Sequence, residues 1–285
     1  MNSINCKVLV CCHKKDIMAT EPPYLPIHVG KAVSTADLSI QGDDTGDNIS
    51  SKNSNYCELT GMYWAWKNLK DADVIGLCHY RRYFDFHKQC RNVFPHTSFP
   101  TSAFGSVDIS IPDSVIEEVK KGTIVIPEPN VYAHNLMADY CIWHNSDDFR
   151  VLKQVILETQ EPEYREAFFK VFYQQNKLIS CNMFLMRWQD FDSYCSWLFP
   201  VLGLVEEKID ISHYNPVQRR IFGYMSERLL NVWLTAQQIK TYPAKVILFD
   251  DKPDPLAAYS GLKYWIRKNI NNLGMAILKP RKHEF

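Results

Sequence analysis

The stretch Asp73-Val74-Ile75-Gly76-Leu77-Cys78-His79-Tyr80-Arg81-Arg82-Tyr83-Phe84 changes character halfway along its length. From Val74 to Cys78 it is apolar and β-prone, the pattern of a strand buried on both faces. It then turns abruptly cationic, with an imidazole and two guanidiniums at the strand's carboxyl end. In open α/β sheets, ligands bind outside the carboxyl ends of strands. Arginine presents forked donors that match phosphate oxygens, so His79, Arg81 and Arg82 make a candidate diphosphate clamp. The same cations also suit the acidic loop at Asp43–Asp47 as ion-pair partners, and both uses stay open at the level of sequence.

Moving outward, Lys7-Val8-Leu9-Val10-Cys11-Cys12 is a second such run, followed by His13-Lys14-Lys15, and reads as a buried first strand. Between the two strands, Ser54 or Asn55 caps a helix from about Tyr56 to Leu69, packed through Leu59, Met62, Tyr63 and Trp66. Strand–helix–strand order predicts an α/β fold with a central mixed sheet flanked by helices. The Glu21-Pro22-Pro23-Tyr24-Leu25-Pro26 segment excludes regular helix or a central strand. Residues 85–112 read as irregular, a short helix starts at Ile111-Pro112-Asp113-Ser114, and Thr123–Pro127 is a third strand. A helical pattern from Ser146 to about Tyr173 is interrupted near Glu161-Pro162, and Leu178–Met186 is strand-like. Asp190–Glu207 is a helix with a kink or break expected at Pro200, and Pro216–Gln238 a long helix bending near Gly223. Asp251-Lys252-Pro253-Asp254-Pro255 reads as a linker. This divides the chain into a domain at 1–250 and a C-terminal tail at 251–285.

Composition narrows the classes. The 285 residues carry 32 basic and 32 acidic side chains, which argues against a nucleic-acid partner. At 46% hydrophobic residues the bulk of the chain is not disordered. No signal-peptide pattern opens the chain, and no apolar run approaches the roughly 20 residues of a membrane-spanning helix. The nine cysteines show no CxxC spacing and read as reduced thiols of a cytosolic protein. No HExxH or Cys/His cluster suggests a metal built into the protein.

Two further constellations carry candidate chemistry. Gly42-Asp43-Asp44-Thr45-Gly46-Asp47-Asn48 gathers three carboxylates and an amide, suited to sugar hydroxyls, a ribose or a divalent cation, though it reads equally as a solvated turn. In Arg219-Arg220-Ile221-Phe222-Gly223-Tyr224-Met225-Ser226-Glu227-Arg228, the charged residues read first as surface ion pairs. Glu227 on this late helix is otherwise a candidate general base, with Asp148 and His144 as rivals. Tyr140, His144 and Asp148 share one face if their region is helical.

Several blocks together resemble a family. They are His13-Lys14, the loop from Gly42 to Ser50, Tyr56-Cys57-Glu58-Leu59-Thr60, Tyr63-Trp64-Ala65-Trp66-Lys67-Asn68 and Gly76-Leu77-Cys78-His79-Tyr80-Arg81-Arg82-Tyr83-Phe84. Asn182-Met183-Phe184 and Gly223–Leu229 extend the match, which covers roughly residues 5–245. They resemble the bacterial capsular and O-antigen galactofuranosyltransferases, long catalogued as a domain of unknown function in polysaccharide gene clusters. The resemblance implies a GT-A-like fold, a UDP-activated sugar donor, most readily UDP-galactofuranose, and an undecaprenyl-diphosphate-linked glycan acceptor at the cytoplasmic face of the membrane. On that basis Cys12, His13 and Lys14 abut the uridine and ribose. Asp43, Asp44 and Asn48 take donor hydroxyls, Glu58 and Thr60 line the same cleft, and His79, Arg81 and Arg82 hold the diphosphate. GT-A enzymes usually carry a metal-binding Asp-x-Asp after an internal strand. Here Asp71-Ala72-Asp73 precedes the strand and Asp190-Phe191-Asp192 starts a helix, while cations occupy the strand end. Metal-independent, inverting transfer is therefore expected, with no cofactor and a divalent cation as the fallback. Transfer of another UDP-hexose, sugar-phosphate transfer and non-catalytic phosphoglycan binding remain alternatives.

The tail has its own pattern. Tyr259, Leu262, Ile266, Ile270, Leu273 and Ile277 recur at helical spacing, flanked by Lys263, Trp265, Arg267 and Lys268, with Lys279, Arg281 and Lys282 following and only Glu284 opposing them. This is the pattern of an interfacial helix on an anionic membrane surface, or of a helix packed back on the domain. Gly261, Gly274 and Asn271-Asn272 favour two shorter segments.

Overall fold

The computed structural model describes residues 4–252 and 260–277. Its elements follow the order β1 (Cys6–Cys12), β2 (Tyr24–His28), β3 (Gln41–Gly42), α1 (Asn53–Tyr56), α2 (Leu59–Asn68), β4 (Val74–His79), β5 (Arg82–Asp85) and β6 (His96–Phe99). Then come α3 (Asp113–Lys120), β7 (Ile124–Pro127), β8 (Asn130–Val131), α4 (Leu136–Trp143), α5 (Ser146–Thr159), α6 (Pro162–Gln174), β9 (Lys177–Leu178) and β10 (Phe184–Arg187). The chain continues through α7 (Trp188–Glu206), α8 (Ile221–Ala236), β11 (Thr241–Phe249) and α9 (Gly261–Ile277). The architecture is α/β with a mixed sheet, as the strand–helix–strand reading requires.

Parallel strands β3, β2, β1 and β4 form one half of the sheet. Antiparallel β10 lies along the other side of β4 and leads to β7, β11 and β5. A tight turn at Tyr80-Arg81 links β4 to β5, with His79 opposite Arg82. Alternation along the central strands divides the core between the two faces. Leu9 and Cys11 of β1, with Ile75 and Leu77 of β4, join the large helical core containing α2 and α4–α8. Val8, Val10 and Cys12, with Val74 and Cys78, join the smaller core on the opposite face.

Two departures from the sequence reading are strands that contain a proline. Tyr24–Pro26 is strand, not irregular: Pro26 pairs with Val10 of β1, while β3 reaches only Ile27 and His28. The missing N–H of Pro26 therefore faces a side without a ladder partner. The sequence reading assigns no element between Gln238 and Asp251, yet β11 is the longest strand there and joins β7 to β5. Its Pro243 pairs only with Ile126, before β5 and β6 take over from Lys245 onward.

Other boundaries shift for local reasons. The expected helix from Tyr56 is two helices, broken at Cys57, whose φ is 53°. Helix α7 runs through Pro200 and α8 through Gly223 without a break. Gly223 lets α8 approach α1 closely, since an added Cβ would sit 3.3 Å from the Cys57 Sγ. Leu178–Met186 is not one strand; β9 and β10 are separated by a turn with positive φ at Cys181 (71°) and Asn182 (50°). Helix α9 is continuous across Gly274 and Asn271-Asn272. It touches the body through Tyr264 on Phe94, Lys268 on Glu128 and the Asn271 carbonyl on Asn176. Pro253, Asp254 and Pro255 of the expected linker, and Tyr259, Lys279, Arg281, Lys282 and Glu284 of the tail, lie outside the described residues.

Gly76 sits at the centre of the sheet, paired with Val8 and Leu185. A Cβ there would come within 3.0 Å of Leu185 Cδ1 and 3.1 Å of both Val8 methyls. Gly76→Ala should lower unfolding free energy by about 1–3 kcal/mol through overpacking. Urea denaturation measures it, and an unchanged midpoint would show that the sheet absorbs the methyl.

Candidate active site

The carboxyl ends of β1, β2 and β4 open into a cleft of about 580 Å³. Its wall combines Cys11, His13, His79, Tyr80 and Arg82 from the strand ends with Asn53, Ser54, Cys57 and Glu58 from the α1–α2 junction. Cys181 closes one side, and Pro216, Arg219, Arg220 and Glu227 close another. A second cavity of about 250 Å³ shares Arg82 and Cys181 with the first and is lined further by His96, Glu128, Asn130 and Ser180.

The turn before β10 organises the polar wall. The Cys181 N–H donates to Glu227 Oε1 at 2.9 Å. The Cys181 carbonyl accepts from His79 Nε2 at 2.7 Å. Asn182, itself buried, donates to Glu58 Oε1 at 2.7 Å and to the Gly223 carbonyl at 3.3 Å. Positive φ at two consecutive non-glycine residues costs on the order of 1–3 kcal/mol each, and such strain tends to collect at functional sites. Cys57, also at positive φ, lies on the same wall.

Two carboxylates, Glu58 and Glu227, share this space. Burial raises the Glu227 carboxyl above its ordinary value, Glu58 pushes in the same direction, and Arg228 opposes both. His79 is shifted the other way: burial lowers its pKa, so it stands as a neutral imidazole whose Nε2–H is committed to the Cys181 carbonyl. Its expected place in a diphosphate clamp is occupied instead by this hydrogen bond to the turn, while the ring still lines the cavity. Burial, Lys14 and Arg220 likewise lower His13.

The guanidiniums divide into two groups. Arg81 turns away from the cleft: its Nε and Nη2 bind both oxygens of Asp16 at 3.1 and 2.8 Å, and Asp250 lies 3.5 Å from Nη1. Its expected place in a diphosphate clamp is not where the structure puts it. Arg82 lines both cavities and, among the described residues, has no ion pair. Arg219 and Arg220 line the first cavity, with Arg219 donating to the Ser212 carbonyl and Arg220 to Cys57 Sγ. Arg228, expected at the surface, is buried against Asp139 at 2.8 Å.

Of the donor-binding candidates, His13, Glu58, His79 and Arg82 line the first cavity. Cys12 does not: strand alternation sends it to the opposite core, where burial pushes its thiol up to about 12, and Cys11 takes the place on the wall. Lys14 pairs with Asp16 at 3.6 Å, off the wall. The acidic loop folds on itself. Asp43 is fully buried and accepts from the Gly30 and Lys31 N–H groups and from Ser50 Oγ. Asn48 accepts from the Ser50 N–H and donates to the Gly46 carbonyl, and Asp44 is exposed. Thr60 is buried, donating to the Cys57 carbonyl and accepting from Asn53. None of these residues lines the first cavity.

Among the base candidates, only Glu227 lines the first cavity. Asp148 accepts from the Tyr214 hydroxyl at 2.7 Å, and burial raises its pKa. His144 stacks on Tyr224 at 4.3 Å and is pushed down to about 4, mainly by burial and then by Arg228. The common face for Tyr140, His144 and Asp148 does not form, because α4 ends at Trp143 and α5 starts at Ser146. Sequence reasoning missed Asn53, Ser54, Cys57, Cys181 and Asn182 as site builders. The polar Ser180-Cys181-Asn182 interruption of an apolar run was the visible signal for the last two.

Residues 7–238 match a family described as Domain of unknown function (DUF4422). No curated protein matches the chain. The fold is similar to an apo structure of WbbM, a bifunctional glycosyltransferase, with a TM-score of 0.77 and 29% identity over 88% of this chain. The match spans only 46% of the WbbM chain.

The raised Glu227 carboxyl predicts a pH-dependent stability difference. A carboxyl with a raised folded-state pKa binds its proton more readily folded than unfolded. Stability is therefore lost as pH rises from the ordinary value, about 4.3, through the raised one. Glu227→Gln cannot ionise and keeps an oxygen for the Cys181 N–H. Its Tm minus that of the wild type should grow between about pH 4 and about pH 8. A difference that stays constant across that range would remove the raised pKa.

Proposed function

The chain belongs to the DUF4422 family, matched over residues 7–238, and on that premise we propose that it is a glycosyltransferase using a nucleotide-diphosphate sugar. The observation that carries the reading is the wall of the first cavity. Arg82, Arg219 and Arg220 face the same space as Glu58 and Glu227, at the carboxyl ends of parallel strands. The likeness to a bifunctional glycosyltransferase supports it. The resemblance of the Tyr56–Thr60 and Gly76–Phe84 blocks supports UDP-galactofuranose as donor and a lipid-linked glycan as acceptor.

In this reading the donor diphosphate lies against Arg82, Arg219 and Arg220, which offset the charge that grows on the leaving group. His13, Asn53 and Ser54 contact the nucleoside and sugar hydroxyls. The acceptor enters the second cavity, whose junction with the first is Arg82 and Cys181. An acceptor hydroxyl oxygen attacks the anomeric carbon and forms the glycosidic bond. The bond from that carbon to the phosphate oxygen breaks, UDP leaves with the electron pair, and Glu227 takes the hydroxyl proton. One displacement inverts an α-linked donor to a β-product. A carboxylate raised by burial is the better base near neutral pH. The charge on the leaving group is met by guanidiniums, so we propose that transfer needs no divalent cation.

Acceptor-dependent UDP release, followed with and without excess EDTA, tests the reading. The wild type should turn over equally in both conditions. Glu227→Gln should lose at least about a hundredfold in kcat while UDP binding persists. Arg82→Ala should weaken UDP binding roughly ten- to a hundredfold, the loss of one charge-assisted contact. UDP binding without release would favour a phosphoglycan-binding module. Loss of turnover in EDTA, restored by manganese, would contradict cation-independent transfer.

A further inference from the structure

Helix α9 has two faces with opposite fates. Tyr264, Lys268, Asn271 and Met275 follow one another at spacings of four, three and four, and this side meets the body: Tyr264 packs on Phe94 at 4.7 Å, and Met275 is buried. At about 100° per residue, Leu262, Ile266, Ile270, Leu273 and Ile277 lie almost diametrically opposite. They are exposed, from 42% for Ile266 to 73% for Ile277, and Trp265 beside them is 57% exposed. An ordinary docked surface helix has the reverse arrangement, with its apolar side inward.

The charge on this helix identifies what covers the apolar stripe. Residues 260–277 contain Lys263, Arg267 and Lys268 and no acidic residue. Lys268 is held by Glu128 at 3.2 Å, whereas Lys263 and Arg267 have no acidic partner among the described residues. On the helical projection these two cations border one edge of the stripe and Trp265 borders the other. An apolar stripe with a basic margin and an interfacial tryptophan is the chemistry that binds an anionic lipid surface. Among the described residues no helix is long and apolar enough to cross a membrane. We propose that α9 lies in the plane of an anionic phospholipid surface and holds the protein there by its outward face.

This docking stands on the helix alone and does not depend on the transfer reaction. Joined to the proposed function, it acquires a purpose. Glu128, which grips Lys268, lines the second cavity, so the membrane-facing helix borders the proposed acceptor cavity. A lipid-linked acceptor would meet that cavity next to the surface in which it is confined.

The full chain should be sedimented with phosphatidylglycerol/phosphatidylethanolamine vesicles and with phosphatidylcholine vesicles, at low and high salt. Wild type should pellet with the anionic vesicles at low salt and far less with phosphatidylcholine. The pair Lys263→Gln/Arg267→Gln should weaken binding roughly thirtyfold, about a factor of five for each charge. Ile270→Ser/Leu273→Ser, on the outward face, should abolish pelleting without lowering Tm, because neither side chain packs on the body. Tm and circular dichroism separate this from misfolding. Equal pelleting of wild type and both variants, or no pelleting by wild type, would overturn the proposal. So would a stable dimer of the wild type, seen by light scattering and lost in Ile270→Ser/Leu273→Ser, since a second copy would then cover the stripe.

Discussion

Three side chains from three separate elements, Glu58, His79 and Glu227, are held by one turn. Cys181 offers its N–H to Glu227 and its carbonyl to His79, while the Asn182 amide reaches Glu58. Both residues adopt positive φ, which turns the chain sharply just before β10. Remove the turn and the α1–α2 junction, the end of β4 and helix α8 lose their common reference. The geometry of the cleft depends on this clasp, while burial raises the Glu227 carboxyl and lowers His79 against the pull of the clasp's own hydrogen bonds.

The clasp also sorts the cations. With His79 committed as a neutral donor, positive charge in the cleft falls to Arg82, Arg219 and Arg220, which come from β5 and from the approach to α8. Arg81, one residue from Arg82 but in the turn before β5, faces the other way, where Asp16 and Asp250 pair with it. The result is a cleft whose wall carries three arginines and two carboxylates. That combination suits an anionic leaving group and a proton acceptor in one cleft.

Much of this was legible in sequence where period and side-chain chemistry agree. The runs Val8–Cys12 and Val74–Cys78 announced central strands, and the cationic ending at His79–Arg82 marked the strand end that carries the cleft. Glu58 came into view only through the family resemblance, and Glu227 read first as a surface ion pair and otherwise as a candidate base. What escaped were features set by tertiary contact. Pro26 argued against a strand, because sequence does not reveal that it faces a side with no ladder partner. The Gly42–Asn48 loop resembled a binding loop, yet Asp43 spends its oxygens on backbone N–H groups and Ser50. Arg220 and Arg228 are close neighbours on the chain, but one faces the cleft and the other is buried against Asp139.

The charge on Glu58 helps to raise the Glu227 carboxyl. The acid limb of acceptor-dependent UDP release, followed from about pH 4 to about pH 9, reports the essential base. In the wild type it should lie above the ordinary carboxylate range, because burial and Glu58 raise Glu227. In Glu58→Gln, which keeps the shape and removes the charge, the limb should move to lower pH. A limb in the ordinary range, or one that stays in place when Glu58 is replaced, would contradict the assignment of Glu227 as the base held in this cleft.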